Sequence, residues 1–226
     1  STLLRRVQRE FHNPEQNRYA VYEDIRLVGD ALAGQSAEML WTRVRDHLNR
    51  LKLFSNPLTT DQPGTLIRRL LELLENDRQL RLLILLDEAD SFLEQDAEQQ
   101  FAIVSRLKRL MEDSHRRVKV VFAGLHNVQR FQGIPNQPFA HLGAPLQVGP
   151  LNPLAARDLV KKPFEAVGYR FADDSTVLRI LSYTNYHPGL IQLFCSKLLD
   201  EMHRKVGRGG ELPCVIEAGD IQVVYL

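Results

Sequence analysis

Asp87 and Glu88 stand side by side directly after the apolar run Leu82–Leu86. Two adjacent carboxylates at the end of a strand can divide two tasks between them. The first carries the hard oxygen donors that suit Mg2+, bound directly or through water. The second can orient or deprotonate an attacking water. When such a pair closes a buried parallel strand it lies at the carboxyl edge of the sheet, where open α/β sheets bind their ligands.

A hydroxyl pair at the head of an amphipathic helix is the second feature. "STLLRRV" places Ser1 and Thr2 before Leu4, Val7 and Phe11, which recur at helical spacing. In the P-loop, G-x-x-x-x-G-K-[ST], backbone N–H groups cradle phosphates, the lysine meets the terminal phosphates and the Ser/Thr hydroxyl binds Mg2+ at a helix N-terminus. "STLL" reads as the piece that follows the glycine and lysine. Ser1 is then the Mg2+ ligand, and Thr2 takes its place if the register is one residue along. The 226 residues contain no G-x-x-x-x-G-K. The cradle, its lysine and the strand ahead of them are therefore expected upstream of Ser1, and a chain truly beginning at Ser1 is expected to bind nucleotide poorly.

The elements that position these residues follow from periodicity. "HNP" at His12–Pro14 ends the first helix, and "YAVYEDIRLV" (Tyr19–Val28) is rich in β-branched and aromatic residues, the composition of a strand. Met39, Leu40, Val44, Leu48 and Leu51 mark an amphipathic helix, "SNPLTTDQPG" breaks it, and Leu66, Leu70, Leu73 and Leu74 mark another. "RLLILLDEAD" is then an uninterrupted apolar strand, as suits a parallel strand buried on both faces. A helix over Phe101–Met111, a strand over Val118–Gly124 and a short strand over Ala144–Leu151 complete a βαβ pattern. From Asn152 onward the reading is helices alone, beginning with Asn152 as N-cap, Pro153 at the first helical position and Gly168 as the stop. The fold class is α/β: a parallel sheet flanked by helices over residues 1–151, then a helical lid over residues 152–226.

Composition narrows the function classes. Apolar residues are 44% and charged residues 25%, ordinary values for a globular domain. The net charge of +1 offers no global attraction to a polyanion. No apolar run approaches the roughly 20 residues of a membrane helix. Cys195 and Cys214 lack metal-ligand spacing and read as reduced intracellular thiols. No signal peptide is present, so a cytoplasmic protein is expected.

The order of "STLL" helix, strand, "LLILLDEAD", "VKVVFAGLHN", "PLQVGPL" and "TNYHPGLIQ" resembles the P-loop ATPase module of bacterial STAND proteins and of the related replication-initiator AAA+ ATPases. The resemblance covers nearly the whole chain. It implies ATP or ADP with Mg2+ as cofactors, and a regulatory switch carried with effector or sensor domains on one chain. Protein partners and oligomerisation on activation follow from the same resemblance. It also implies a sensor residue after the strand that follows Asp87, a role that falls on Asn127 with His126 as the alternative, and an adenine contact at "YHPG", carried by Pro188 and His187. The closing "EAGDIQVVYL", with Asp220 as a cap, would begin a further helix of winged-helix type. Two departures make a slow switch the expectation rather than hydrolysis in trans around a ring: "NQPFAHLG" has no arginine finger, Arg130 being the nearest, and "HPGLIQLFCSKLL" has no sensor arginine.

Three alternatives are weighed against the switch. A DEAD-box helicase would need a Ser-Ala-Thr element after the next strand and a second parallel-sheet domain, and "AGLHN" followed by helices supplies neither. Ala89 and Asp90 are then the turn and cap of the next helix. A DNA-binding ATPase would draw on Arg5/Arg6/Arg9, Arg116/Arg117/Lys119 and Arg204/Lys205/Arg208, which more often form solvated faces. A nonhydrolysing scaffold would use the same fold for protein contacts only.

Overall fold

The computed structural model describes residues 2–26, 36–60, 62–125, 130–131, 138–207 and 213–225. The chain divides into two units, Ser1–Pro145 and Leu146–Leu226.

The first unit is built on a three-stranded parallel sheet in the order β1-β2-β3. Its described elements are α1 (Thr2–Phe11), β1 (Arg18–Asp24), α2 (Ser36–Arg50), α3 (Pro63–Asn76), β2 (Arg81–Asp87), α4 (Asp90–Glu98), α5 (Ala102–Asp113) and β3 (Val118–Phe122). β2 is the middle strand, and every residue from Leu82 to Asp87 is buried, which explains its unbroken apolar run.

The two faces of the sheet are covered unequally. Val21, Leu82, Ile84, Leu86, Val118, Val120 and Phe122 pack with the leucines of α2 and α3 and the apolar faces of α4 and α5. The opposite face, Ala20, Tyr22, Leu83 and Leu85, is covered by α1 through Leu4, Val7 and Phe11. Both strand-to-strand connections thus use helices on one face, and among the described helices only α1 covers the other. On β3 burial alternates, leaving Lys119 and Val121 exposed, Val121 by 38%. Among the described residues β3 pairs with β2 only.

The helix junctions have local causes. α3 begins at Pro63, whose fixed φ suits the first helical position. The α4–α5 corner places Gln100 and Phe101 at φ 55° and 56°. Asp96, 1% exposed, accepts the Ile103 and Val104 amides at 2.9 Å each and so caps α5 from the preceding helix.

The second unit comprises α6 (Pro153–Ala166), β4 (Tyr169–Phe171), α7 (Asp174–Tyr183), α8 (Pro188–Gly207), β5 (Cys214–Ile216) and α9 (Ala218–Tyr225). Asn152 caps α6 as expected, its side chain accepting the Ala155 amide at 2.8 Å. The helix continues through Pro163. β4 and β5 form a two-stranded parallel sheet that the all-helical expectation did not contain.

The expected strand over Ala144–Leu151 is not formed. Those residues are coil, with Leu146 93% and Val148 75% exposed. Alternating apolar residues make a strand only when a neighbour accepts their backbone hydrogen bonds, and this segment pairs with none of the described strands.

Candidate functional site

The carboxyl edge of the sheet collects the chemistry. β1 and β2 end in register, Asp24 opposite Asp87, and the Ile25 amide donates to the Asp87 carbonyl at 2.9 Å. The Asp87 side chain is 4% exposed. It shares the α1 face with Leu83 and Leu85, because side chains two apart on a strand point the same way. Tyr22 donates its hydroxyl to Asp87 Oδ2 at 2.8 Å, and the Glu88 amide donates to Oδ1 at 3.2 Å. A buried carboxylate is tolerated only when hydrogen-bonded, and both its oxygens are.

Helix α1 brings its N-terminus to this same edge. Arg5 lies over the Tyr22 ring at 4.3 Å, Gln8 donates to the Ala20 carbonyl at 3.4 Å, and His12 Nδ1 accepts the Ala20 amide at 3.2 Å. The helix therefore runs antiparallel to β1, and its first turn lies beyond Tyr22 toward the carboxyl end. Thr2 is the first residue of α1 and is exposed, and that first turn carries no acidic residue. The helix dipole makes such an end favourable to anions.

Glu88 leaves the strand with φ at 56°, a left-handed conformation that is uncommon for a non-glycine residue and turns its side chain out of the sheet. The side chain is 44% exposed and faces Arg26 at 3.8 Å, while Arg26 also pairs with Asp24 at 3.2 Å. On the other face Glu23 is held by Arg43 and by His47, the latter at 2.6 Å, tying α2 to the end of β1.

Asp90 does more than begin a helix. Ala89 is the N-cap residue of α4 and makes no side-chain cap bond. The Asp90 carboxylate instead accepts the Leu125 amide at 2.7 Å, fastening the segment after β3 to the start of α4.

Of the expected site residues, the structure brings Asp87, Glu88 and the Thr2 end of α1 to one edge. Ser1, Asn127 and the alternative His126 lie outside the described residues. His187 and Pro188 belong to the second unit, described by itself. There Asn185 and Tyr186 have φ of 45° and 60°, and Pro188 opens α8. The exposed His187 ring accepts the Leu190 amide at 3.4 Å, a helix-capping role. Tyr22 was not singled out from sequence, and Asp90, expected as the cap of the next helix, is instead the first residue of α4 behind Ala89. Tyr22 had one available signal, a phenol rather than Phe at an inward strand position two residues before an acidic strand end.

Oxygen donors are what this edge offers a metal: the Asp87 carboxylate and the hydroxyl at the head of α1. No group of three or more His, Cys, Asp or Glu that could hold a metal forms among the described residues. This donor set fits Mg2+, which is usually held by one or two protein oxygens together with substrate phosphates.

The basic clusters are partly absorbed by structure. Arg6 pairs with Glu10, Arg117 donates to the Leu74 and Asp77 carbonyls at the end of α3, and Lys205 pairs with Asp220 at 3.0 Å. No described helix is long and apolar enough to cross a membrane. The sequence matches no protein-family model, and no curated protein matches it.

Proposed function

We propose that the chain is the nucleotide-binding part of a slow, ATP-driven regulatory switch of the STAND type. The observation that carries this reading is the placement of the buried Asp87 carboxylate at the end of the central parallel strand, on the same face and at the same edge as the N-terminus of α1. Asp87 and the hydroxyl of Ser1 or Thr2 would hold Mg2+. Glu88 would orient the attacking water, with Asn127 as the proposed sensor residue. Bound Mg2+ supplies charge neutralisation at the phosphates. Among the remaining expected roles, Pro188 is the better proposed adenine contact, since His187 already has a capping task.

Topology supports the reading independently. Crossovers between parallel strands are right-handed in about 98% of cases. Helices on one face carry the chain from β1 to β2 to β3. A strand feeding α1, on the opposite face, must for the same handedness lie in the opposite direction, beyond β3. That edge of β3 is unpaired among the described residues and carries the exposed Val121. A phosphate-binding turn at the end of such a strand would open directly onto α1.

Equilibrium binding of ATP with and without Mg2+ to the complete natural protein, wild type against Asp87→Asn, tests the site. The variant should lose the Mg2+-dependent part of the affinity. Equal Mg2+ dependence in both would overturn the assignment.

A further inference from the structure

We propose that Tyr22 is a positioning residue for the site: its hydroxyl sets the Asp87 carboxylate for a divalent cation, and Arg5 above its ring tunes that bond. The inference rests on the reading of Asp87 as a metal-binding residue.

Three observations carry it. The first is chemical economy. The Tyr22 ring is 8% exposed in a small apolar cluster with Leu4, Ala20, Leu83 and Leu85, which a phenylalanine would fill equally well. What the phenol adds is the bond at 2.8 Å to Asp87 Oδ2 across 65 residues of chain. A buried polar tip with one specific carboxylate partner does more than fill space.

The second is direction. A carboxylate at a strand end can rotate about two side-chain bonds. Here Oδ2 is approached by the phenol from β1 and Oδ1 by the Glu88 amide from its own strand. Two donors on different oxygens fix the plane of the group, as partners of metal ligands commonly do. The O–H to carboxylate bond is charge-assisted and correspondingly strong.

The third is the link to α1. Arg5 stacks at 4.3 Å from the Tyr22 ring centroid, one helical turn after Thr2. A cation on the ring face withdraws electron density from the phenol and strengthens it as a donor. The first turn of α1 and the carboxylate of β2 are thereby joined through one side chain, so movement of the phosphate-facing helix end would be felt at the proposed metal ligand.

The test uses Mn2+ as probe on the complete natural protein with one equivalent of ADP bound, so that phosphate oxygens complete the donor set, and follows binding by loss of the free-ion EPR signal. Wild type, Tyr22→Phe, Arg5→Gln, Asp87→Asn and the Tyr22→Phe/Asp87→Asn double variant are compared. Asp87→Asn should abolish the specific site. Tyr22→Phe should weaken Mn2+ by about tenfold, as loss of a ligand's partner typically does, and Arg5→Gln by no more than about fivefold. The double variant should be no worse than Asp87→Asn alone. Tyr22→Phe at wild-type Mn2+ affinity, even with lowered thermal stability, would overturn the proposal while leaving the metal site standing. Asp87→Asn at wild-type affinity would overturn the metal site and this proposal with it. If Phe at position 22 prevents folding, Arg5→Gln at wild-type Mn2+ affinity overturns the proposal.

Discussion

A Cβ built on Gly124 would lie 2.7 Å from Asp90 Oδ2, the same oxygen that accepts the Leu125 amide. The segment after β3 therefore passes the start of α4 too closely for any side chain at position 124. Gly124→Ala should cost about 1 to 3 kcal/mol by forcing Asp90 aside. In an Asp90→Ala background the same change should cost much less, because the two residues share one contact. Urea unfolding followed by the emission of Trp41, the sole tryptophan and fully buried, measures both. Additive costs would contradict the shared contact.

Burial pushes the Asp96 carboxyl above its ordinary value, and the bonds from Ile103 and Val104 oppose that shift. A carboxyl raised on folding binds its proton more tightly folded than unfolded. Its contribution is thus full below the ordinary carboxylate range and is lost as pH rises through that range to the raised value. Asp96→Asn cannot titrate, and its amide NH2 faces a backbone donor, a cost of about 1 to 3 kcal/mol. The stability gap between wild type and Asp96→Asn should accordingly narrow with rising pH over that window. Urea midpoints at stepped pH give the gap directly, and a constant gap would rule out the proposed titration.

Desolvation pushes the Cys195 thiol up to about 11. At pH 8 only about one molecule in a thousand would carry the thiolate, so alkylation should run more than about a hundredfold slower than for a free thiol. Mass spectrometry after timed iodoacetamide treatment reads this out. Rapid labelling of the half-buried Cys195 in the folded protein would contradict the raised thiol.

The exposed edge of β3 yields a paired prediction. In the 226-residue chain Val121→Asp should change stability by less than about 1 kcal/mol, whereas Val120→Asp, on the buried face, should unfold the unit. In the complete natural protein, if a further strand covers β3, Val121→Asp should cost at least about 2 kcal/mol. Equal small effects in both proteins would argue against that strand.

What the sequence made legible was whatever depends on local periodicity. α1, α2, α3, α5 and the strands β1 to β3 follow from spacing of apolar residues, and Asp87 and Glu88 from their position at a strand end. Ala144–Leu151 misled because its alternation supplies β-propensity but not a pairing neighbour. β4 and β5 escaped because each has three residues and finds its partner some 45 positions away (214 − 169). The Tyr22–Asp87 bond and the Asp90 clamp are long-range contacts, and local periodicity does not say which distant residue meets which.

In the proposed switch Glu88, turned out of the sheet beside the buried Asp87, orients a water for ATP hydrolysis. The most direct test is ATP turnover by the complete natural protein, wild type against Glu88→Gln, with nucleotide binding measured alongside. Turnover should fall by about a hundredfold or more with binding retained. Unchanged turnover in the variant would rule out Glu88 as the residue that orients the water.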